Sequence, residues 1–423
     1  MRYAYINGII LDGTKDMVPQ TGRVILTDGE KIEAIVEQGA DLTGYDVIDL
    51  AGRYIMPGLI NLHVHLPGDG QPVDLAAAAA DMAKDPAALV QYLYTMCVKS
   101  AQTELYSGVT TIRTVGGIQN IDTQLRERIQ RGELDGPRIL ASNMAVSVPG
   151  GHMAGTLAYI ANSAEEARAY VQKIAQDQPD LIKLMVTGGV LDAKVKGEPG
   201  ELKMPADYVA AACAEAHRLG LQVAAHVESP QGVQVALANG VDTIEHGAEP
   251  DEEILALYQE RSASFVATIS PSIPFVAFDP EVCHISEMEQ YNGTIVFKGV
   301  VACAKACMER GIPVGLGTDT GCPYITHYDM WRELYYFHKY CGVSTAYALH
   351  TATEVNAQIA GIGEVTGTIA PGKCADFIVS QNDPLEDLQA LRQLDMVVTR
   401  GRIINAPVPE KYPEIDAELD KHL

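Results

Sequence analysis

The sequence predicts an α/β protein: a (β/α)8 barrel over residues 58–360, with a small β-sandwich domain assembled from both chain ends, 1–57 and 361–423. Three observations predict it. Residues 1–57 read as short strands joined by tight turns, as in "YAYINGIILDG" and "GRVILTDGEKIEAIVE". The closing stretch returns to that texture with "GTIAPGKCADFIVS" and "MVVTRGRIIN", a hairpin turning at Arg400-Gly401. Between them, short β-rich apolar runs alternate with longer helical patterns, as βα units do.

Taken in order, the runs are "GLINLHVH", "GVTTIRTV", "PRILASNMAV", "DLIKLMV", "GLQVAAHV", "GVDTIEHG", "ASFVATIS" and "IPVGLGTD". Eight strands with helices between them suit a (β/α)8 barrel, whose usual size is ~250 residues plus insertions. An open doubly wound sheet is the runner-up, but no dinucleotide-type Gly-rich turn follows the first run. The helices agree with the count. "SPQGVQVALANG" offers Ser229 as N-cap, Pro230 at the first helical position and Gly240 as the stop. "MPADYVAAACAEAHRLG" carries Val209, Cys213, Ala216 and Leu219 along one face and stops at Gly220. A histidine follows each of these glycines at the same interval, His226 and His246, so two successive units are expected to deliver an imidazole at the same height.

Bulk properties narrow the function classes. A chain of 423 residues can bury a large core, and a formal charge of −24 argues against nucleic acid and anionic membranes as partners. No run approaches the ~20 apolar residues of a membrane span; the alanines at 76–80 are too few and are flanked by Asp74 and Asp81. The opening "MRYAYINGIILDG" lacks the features of a secretory signal, so the expected location is cytoplasmic. The eight cysteines form no Cys-x-x-Cys pair, and Cys303 and Cys307 read as small buried thiols on a helix.

Active sites of such barrels sit at the carboxyl ends of the strands. The polar residues expected there are His63 and His65 on the first strand, Lys183 on the fourth, His226 on the fifth, His246 on the sixth and Asp319 on the eighth. Four of eleven histidines thus meet on one rim. Imidazole with carboxylate suits zinc or another borderline divalent metal, and the lack of cysteine argues against a closed structural zinc site. Singly, each residue has a plainer reading: a hydrogen-bonded strand-end histidine, a turn-capping Asp319, an ion-paired Lys183. Their conjunction favours a metal. As an ammonium, Lys183 has no lone pair with which to ligate. Carboxylation by carbon dioxide would make it an anion able to bridge two metals, which could also share a hydroxide.

This pattern resembles the amidohydrolase superfamily, across nearly the whole chain. "IMPGLINLHVH", "GVTTIRTVGG", "LIKLMVTGGV", "VAAHVE" and "TIEHGAE" look like its branch of prolidase-like dipeptidases and imidazolonepropionase-related hydrolases. The resemblance implies two Zn2+ ions, or similar divalent metals, bridged by carboxylated Lys183 and hydroxide. His63, His65 and Asp319 would hold one ion, and His226 and His246 the other. It also implies catalytic roles for Asp319, as base and then acid, and for His152 in "VPGGHMAG", as the contact to the substrate carbonyl. The chain departs from that branch at Glu228, where similar dipeptidases carry tyrosine. A carboxylate there would hold a substrate cation or pair with a neighbouring loop.

The expected activity is hydrolysis of a C–N amide bond in a dipeptide, Xaa-Pro-like or N-acyl amino acid substrate. The alternatives are a cyclic-amide hydrolase (lactam or imidazolone type) and a mononuclear deaminase on the same barrel. The deaminase would want a glutamate where Ser229 stands and would have no use for Lys183. A barrel that had lost catalysis would be missing ligands, and none is missing. The partner expected is a small-molecule or dipeptide-like substrate, with homo-oligomers usual for such barrels. "SPSIPFVAFDPEVCHISEMEQYNG" is expected to form a substrate lid, with His284 on its surface. Tyr324 and His327, in an otherwise core-helix stretch, are candidates to reach the pocket, Tyr324 as a substrate-binding residue.

Overall fold

The apolar runs become parallel strands, as residues buried on both faces do in βα units. The structure, a computed structural model, describes residues 1–72 and 86–423, so the alanine run at 76–80 lies outside the described residues. Leu59–Val64, Val109–Thr114 and Arg138–Leu140 form a three-stranded parallel sheet. A seven-stranded parallel sheet runs in the order Ala158–Ile160, Ala145–Ser147, Leu181–Met185, Gln222–Val227, Thr243–His246, Ser264–Ala267, Val314–Leu316. Helices separate successive strands, among them Pro86–Tyr106, Ala206–Arg218, Pro230–Ala238, Glu287–Glu309 and Met330–Cys341. Backbone bonds from Asp319 N to His63 O (2.9 Å) and from His65 N to Thr320 O (3.0 Å) tie the stretch after the last strand to the end of the first. Among the described residues no helix is long and apolar enough to cross a membrane.

Three expectations need correction. "PRILASNMAV" is not one strand. Asn143 adopts a left-handed φ of 58°, which breaks the ladder, and Arg138–Leu140 and Ala145–Ser147 join different sheets. Leu219 is not on the buried face of its helix, which ends at Arg218 and leaves that side chain 38% exposed. The last residues do not stay β-like: Pro413–Leu419 is a helix, held to Arg332 of Met330–Cys341 through Asp416 (3.0 Å) and Asp420 (2.7 Å).

Ser229 caps its helix as expected, accepting from Gly232 N with Pro230 at the first position. Both chain ends form antiparallel-rich sheets. One holds Lys31–Glu37, Arg23–Asp28, Arg2–Ile6 and Asp46–Asp49; the other holds Arg402–Asn405, Met396–Thr399, Phe377–Ser380, Tyr54–Pro57 and Ile9–Ile10. Tyr5, Ile25 and Ile32 of the first share a core with Ile55, Phe377 and Val398 of the second, Tyr5 standing edge-on to Phe377 at 5.7 Å. The hairpin turns at Arg400 (φ 48°) and Gly401 (φ 72°), the two left-handed positions of a type I′ turn.

Candidate metal centre

His63 and His65, two apart on the first parallel strand and its exit, present their rings together with centroids 5.3 Å apart. Gly317 makes room, since a side chain there would press within 2.4 Å of the His63 Cβ. His63 Nε2 and His65 Nε2 approach the same oxygen, Asp319 Oδ1, at 3.1 and 3.2 Å. Each ring's other nitrogen is already occupied: His63 Nδ1 lies 2.9 Å from Glu245 Oε2, and His65 Nδ1 lies 2.9 Å from Gly116 O. An Nδ1–H that donates outward leaves an Nε2 lone pair facing inward. In that tautomer two lone pairs and a carboxylate converge, an arrangement suited to a cation; in the other tautomer each Nε2–H donates to Asp319 Oδ1. Outward hydrogen bonding of this kind is what metal-ligating histidines show.

Beside them lie His226, Glu228 and His246, whose ligand atoms fall within 4.8 Å of one another; the same holds for His63, His65 and Asp319. The His63–His246 ring centroids are 4.8 Å apart and His226–His246 4.6 Å, so the two groups adjoin. His246 Nδ1 meets Thr268 Oγ1 at 2.7 Å and His226 Nε2 meets Gly188 O at 3.2 Å. The equal-height expectation for the latter pair is corrected: His226 is in register with Glu245, and His246 with Val227. Strict alternation would turn His246 away. Its left-handed φ of 66° breaks the alternation and brings the ring back to the same side as Glu245. Asp319 also sits at a left-handed φ, 58°.

The Lys183 amine is buried and, among the described residues, has no hydrogen-bond partner. Burial pulls its pKa down to about 8, against the opposing pull of Glu245 and Asp319. Burial likewise drives His226 and His246 well below the ordinary imidazole range, leaving neutral rings with lone pairs to offer. Burial alone would raise Asp319, yet His63 and its other imidazole neighbours hold it well below the usual carboxylate range. A buried amine that burial makes easier to deprotonate, the neutral imidazoles of His226 and His246 and an ionised carboxylate fit a divalent-metal site, with Lys183 a ligand only once carboxylated.

Glu228 departs from its expected ionised state. Among the described residues it forms no ion pair, its Oε2 is buried without a partner, and burial beside Asp319 pushes its carboxyl up to about 8. It lines a cavity of about 240 Å³ with His152, His226, His246, Asp319 and Tyr324. The lid segment forms part of the wall through Pro271, Pro274, Phe275 and Ile285, and Tyr324 ties it down by donating from its hydroxyl to Val282 O at 2.7 Å. His284 is exposed, as expected. His327 does not reach this cavity; its ring is spent on Glu104 Oε1 (3.2 Å) and Gly68 O (2.7 Å).

Four partners escape sequence reasoning. Arg113 bonds Glu245 Oε1 at 2.7 Å and Leu62 O at 2.7 Å, so His63, Glu245 and Arg113 form one buried chain. Thr268 and Asp192 serve His246 and His152. Arg113, Glu245 and Thr268 stand within the apolar runs of the sequence but, like Asp192, act through a neighbour, so their residue types alone do not announce the role.

Residues 54–404 match the model described as the amidohydrolase family. The chain is 26% identical to the ochratoxinase of Aspergillus niger over 91% of its own length and 82% of that protein's. Its structure is similar to that of a candidate prolidase from Bifidobacterium longum (TM-score 0.89, 34% identity, covering 99% of this chain and 98% of that one). It is also similar to that of a Xaa-Pro dipeptidase with methionine bound in its active site (TM-score 0.82, 28% identity, covering 96% and 100%).

Proposed function

The chain belongs to the amidohydrolase family and is a hydrolase acting on C–N bonds, and from that premise we propose that it cleaves the amide of a dipeptide, Xaa-Pro-like or N-acyl amino acid with two zinc or similar divalent ions. The convergence of His63 Nε2 and His65 Nε2 on one oxygen of Asp319, with each Nδ1 already engaged elsewhere, carries this reading. In it, those three residues would hold one ion, His226 and His246 would hold the other, and Lys183, once carboxylated, would supply an anionic oxygen donor. The scaffold is a closed (β/α)8 TIM barrel, residues 58–360, with a β-sandwich domain from residues 1–57 and 361–423. The Asp319–His63 and His65–Thr320 backbone bonds support closure, and the shared core of the terminal sheets supports the sandwich.

When bound, the ions polarise the scissile carbonyl and lower the pKa of a water toward neutrality. Asp319 takes the proton of the attacking water and hands it to the leaving amine. His152, stacked on His226 in the same cavity wall, meets the substrate carbonyl. Apolar lid residues such as Phe275 exclude bulk water around the bond. Glu228 and Tyr324 line the substrate's path, and a cationic substrate group would have to draw the buried Glu228 carboxyl into its ionised form to pair with it. The dipeptidase likeness supports a small, dipeptide-like substrate, and a cytoplasmic homo-oligomer is the matching form.

Elemental analysis of the purified enzyme is expected to find two ions per chain, and Lys183→Arg, which cannot be carboxylated, to lose at least one. Zinc-loaded enzyme is expected to release amines from a library of dipeptides and N-acyl amino acids. A single ion with ammonia release would establish the deaminase instead, and opening of lactams alone the cyclic-amide reading.

A further inference from the structure

We propose that Asp192 is a positioning residue that aims His152 at the substrate, a role that rests on the amide-hydrolase reading above. The two come from different loops, His152 after Ala145–Ser147 and Asp192 from the turn Val190–Asp192 that follows Leu181–Met185. His152 Nδ1 donates to Asp192 Oδ2 at 2.5 Å, and the same oxygen accepts from Gly189 N at 3.0 Å. That backbone bond fixes the carboxylate, which in turn fixes the ring. The imidazole lies flat against His226, with planes 8° apart and centroids at 4.0 Å. Gly189 lies against the same pair: a Cβ there would touch both rings, at 3.4 Å from His152 and 3.5 Å from His226.

The consequence concerns the other nitrogen. With Nδ1 committed to Asp192, only Nε2 is left to face the cavity that His152 lines, and among the described residues it has no protein partner. The carboxylate therefore selects both the ring's orientation and which nitrogen meets the substrate. A group held by one hydrogen bond and one stack, at the end of a loop containing Gly150 and Gly151, needs such a support. Small misplacements of a reacting contact are costly.

The test is a double-mutant cycle on zinc-loaded full-length enzyme, with the best-cleaved member of the amide library as probe. Asp192→Ala is expected to lower kcat/KM by ~10–100-fold, in the range for removing a residue that supports another. His152→Ala should cost at least as much. Adding D192A to H152A should then change kcat/KM by less than ~2-fold, because Asp192 would have nothing left to aim. D192N, whose amide oxygen still accepts from Nδ1, should recover most of the activity. A D192A penalty of the same size with and without His152 would overturn the assignment, since mere loop bracing acts in both backgrounds; so would the absence of any penalty. Crystal structures give a readout without turnover: in D192A the His152 ring should leave its stack on His226. A ring that stays in place refutes the proposal even if no library member is cleaved, an outcome that would separately sink the amide-hydrolase reading.

Discussion

At the scale of single residues, His63, His65, Lys183, His226, His246 and Asp319 were legible because each is a metal-suited or chemically odd side chain on or just after an apolar β-run. Glu245 was not. Strand alternation assigns positions 245 and 246 to opposite faces, and only the left-handed backbone at His246 lets both serve the same centre. Arg113 was hidden for a different reason, standing as one charge in an apolar strand with nothing nearby in sequence to explain it. Glu245 would be raised by burial, but Arg113 and His63 hold it far below the ordinary range. Removing one partner of a buried ion pair leaves the other charge uncompensated. Arg113→Met is therefore expected to cost about 3–5 kcal/mol, read from denaturant midpoints, with part of the loss recovered in R113M/E245Q.

At the scale of elements, helix caps and the parallel strands followed from local pattern, whereas the break at Asn143 required a backbone conformation that no periodicity announces. The lid was visible as a long proline-bearing insertion, but its anchor was not. Glu333, on Met330–Cys341, accepts from the backbone of Ile269 and Ser270 (2.8 Å each) and from the Ser270 hydroxyl, holding the lid's first turn. Burial raises its pKa from 4.5 to about 7. A carboxyl raised on folding contributes stability that is full below its unfolded pKa and lost as pH climbs through the folded one. Between pH 5 and pH 8 the wild type should thus lose on the order of 3 kcal/mol relative to Glu333→Gln, at 1.36 kcal/mol per unit. Melting temperatures of both proteins at the two pH values check this, and a constant difference would show an ordinary carboxyl.

At the scale of the whole molecule, the change of texture between terminal and central stretches announced two kinds of architecture. Which strands would meet did not follow from it, because antiparallel pairing between distant segments leaves no local trace. Phe377–Ser380 pairs with Tyr54–Pro57 on one side and Met396–Thr399 on the other, so it is the interior strand of its sheet. A chain cut before residue 361 would bare that strand's partner and the apolar cluster around Ile55. It is expected to aggregate, as measured by soluble yield and size-exclusion profile, even though every proposed metal ligand remains.

That pairing also sets a clock for the cell. At ~5–20 residues per second of synthesis, the segment around Tyr54 is made roughly 15–65 s before Phe377. For that interval the nascent chain trails an unclosed β-edge, exposed to its neighbours on the same polysome. Soluble expression should then respond to slower growth temperature and to trigger-type chaperones that shield such edges, more than to any change that hastens folding of the central strands.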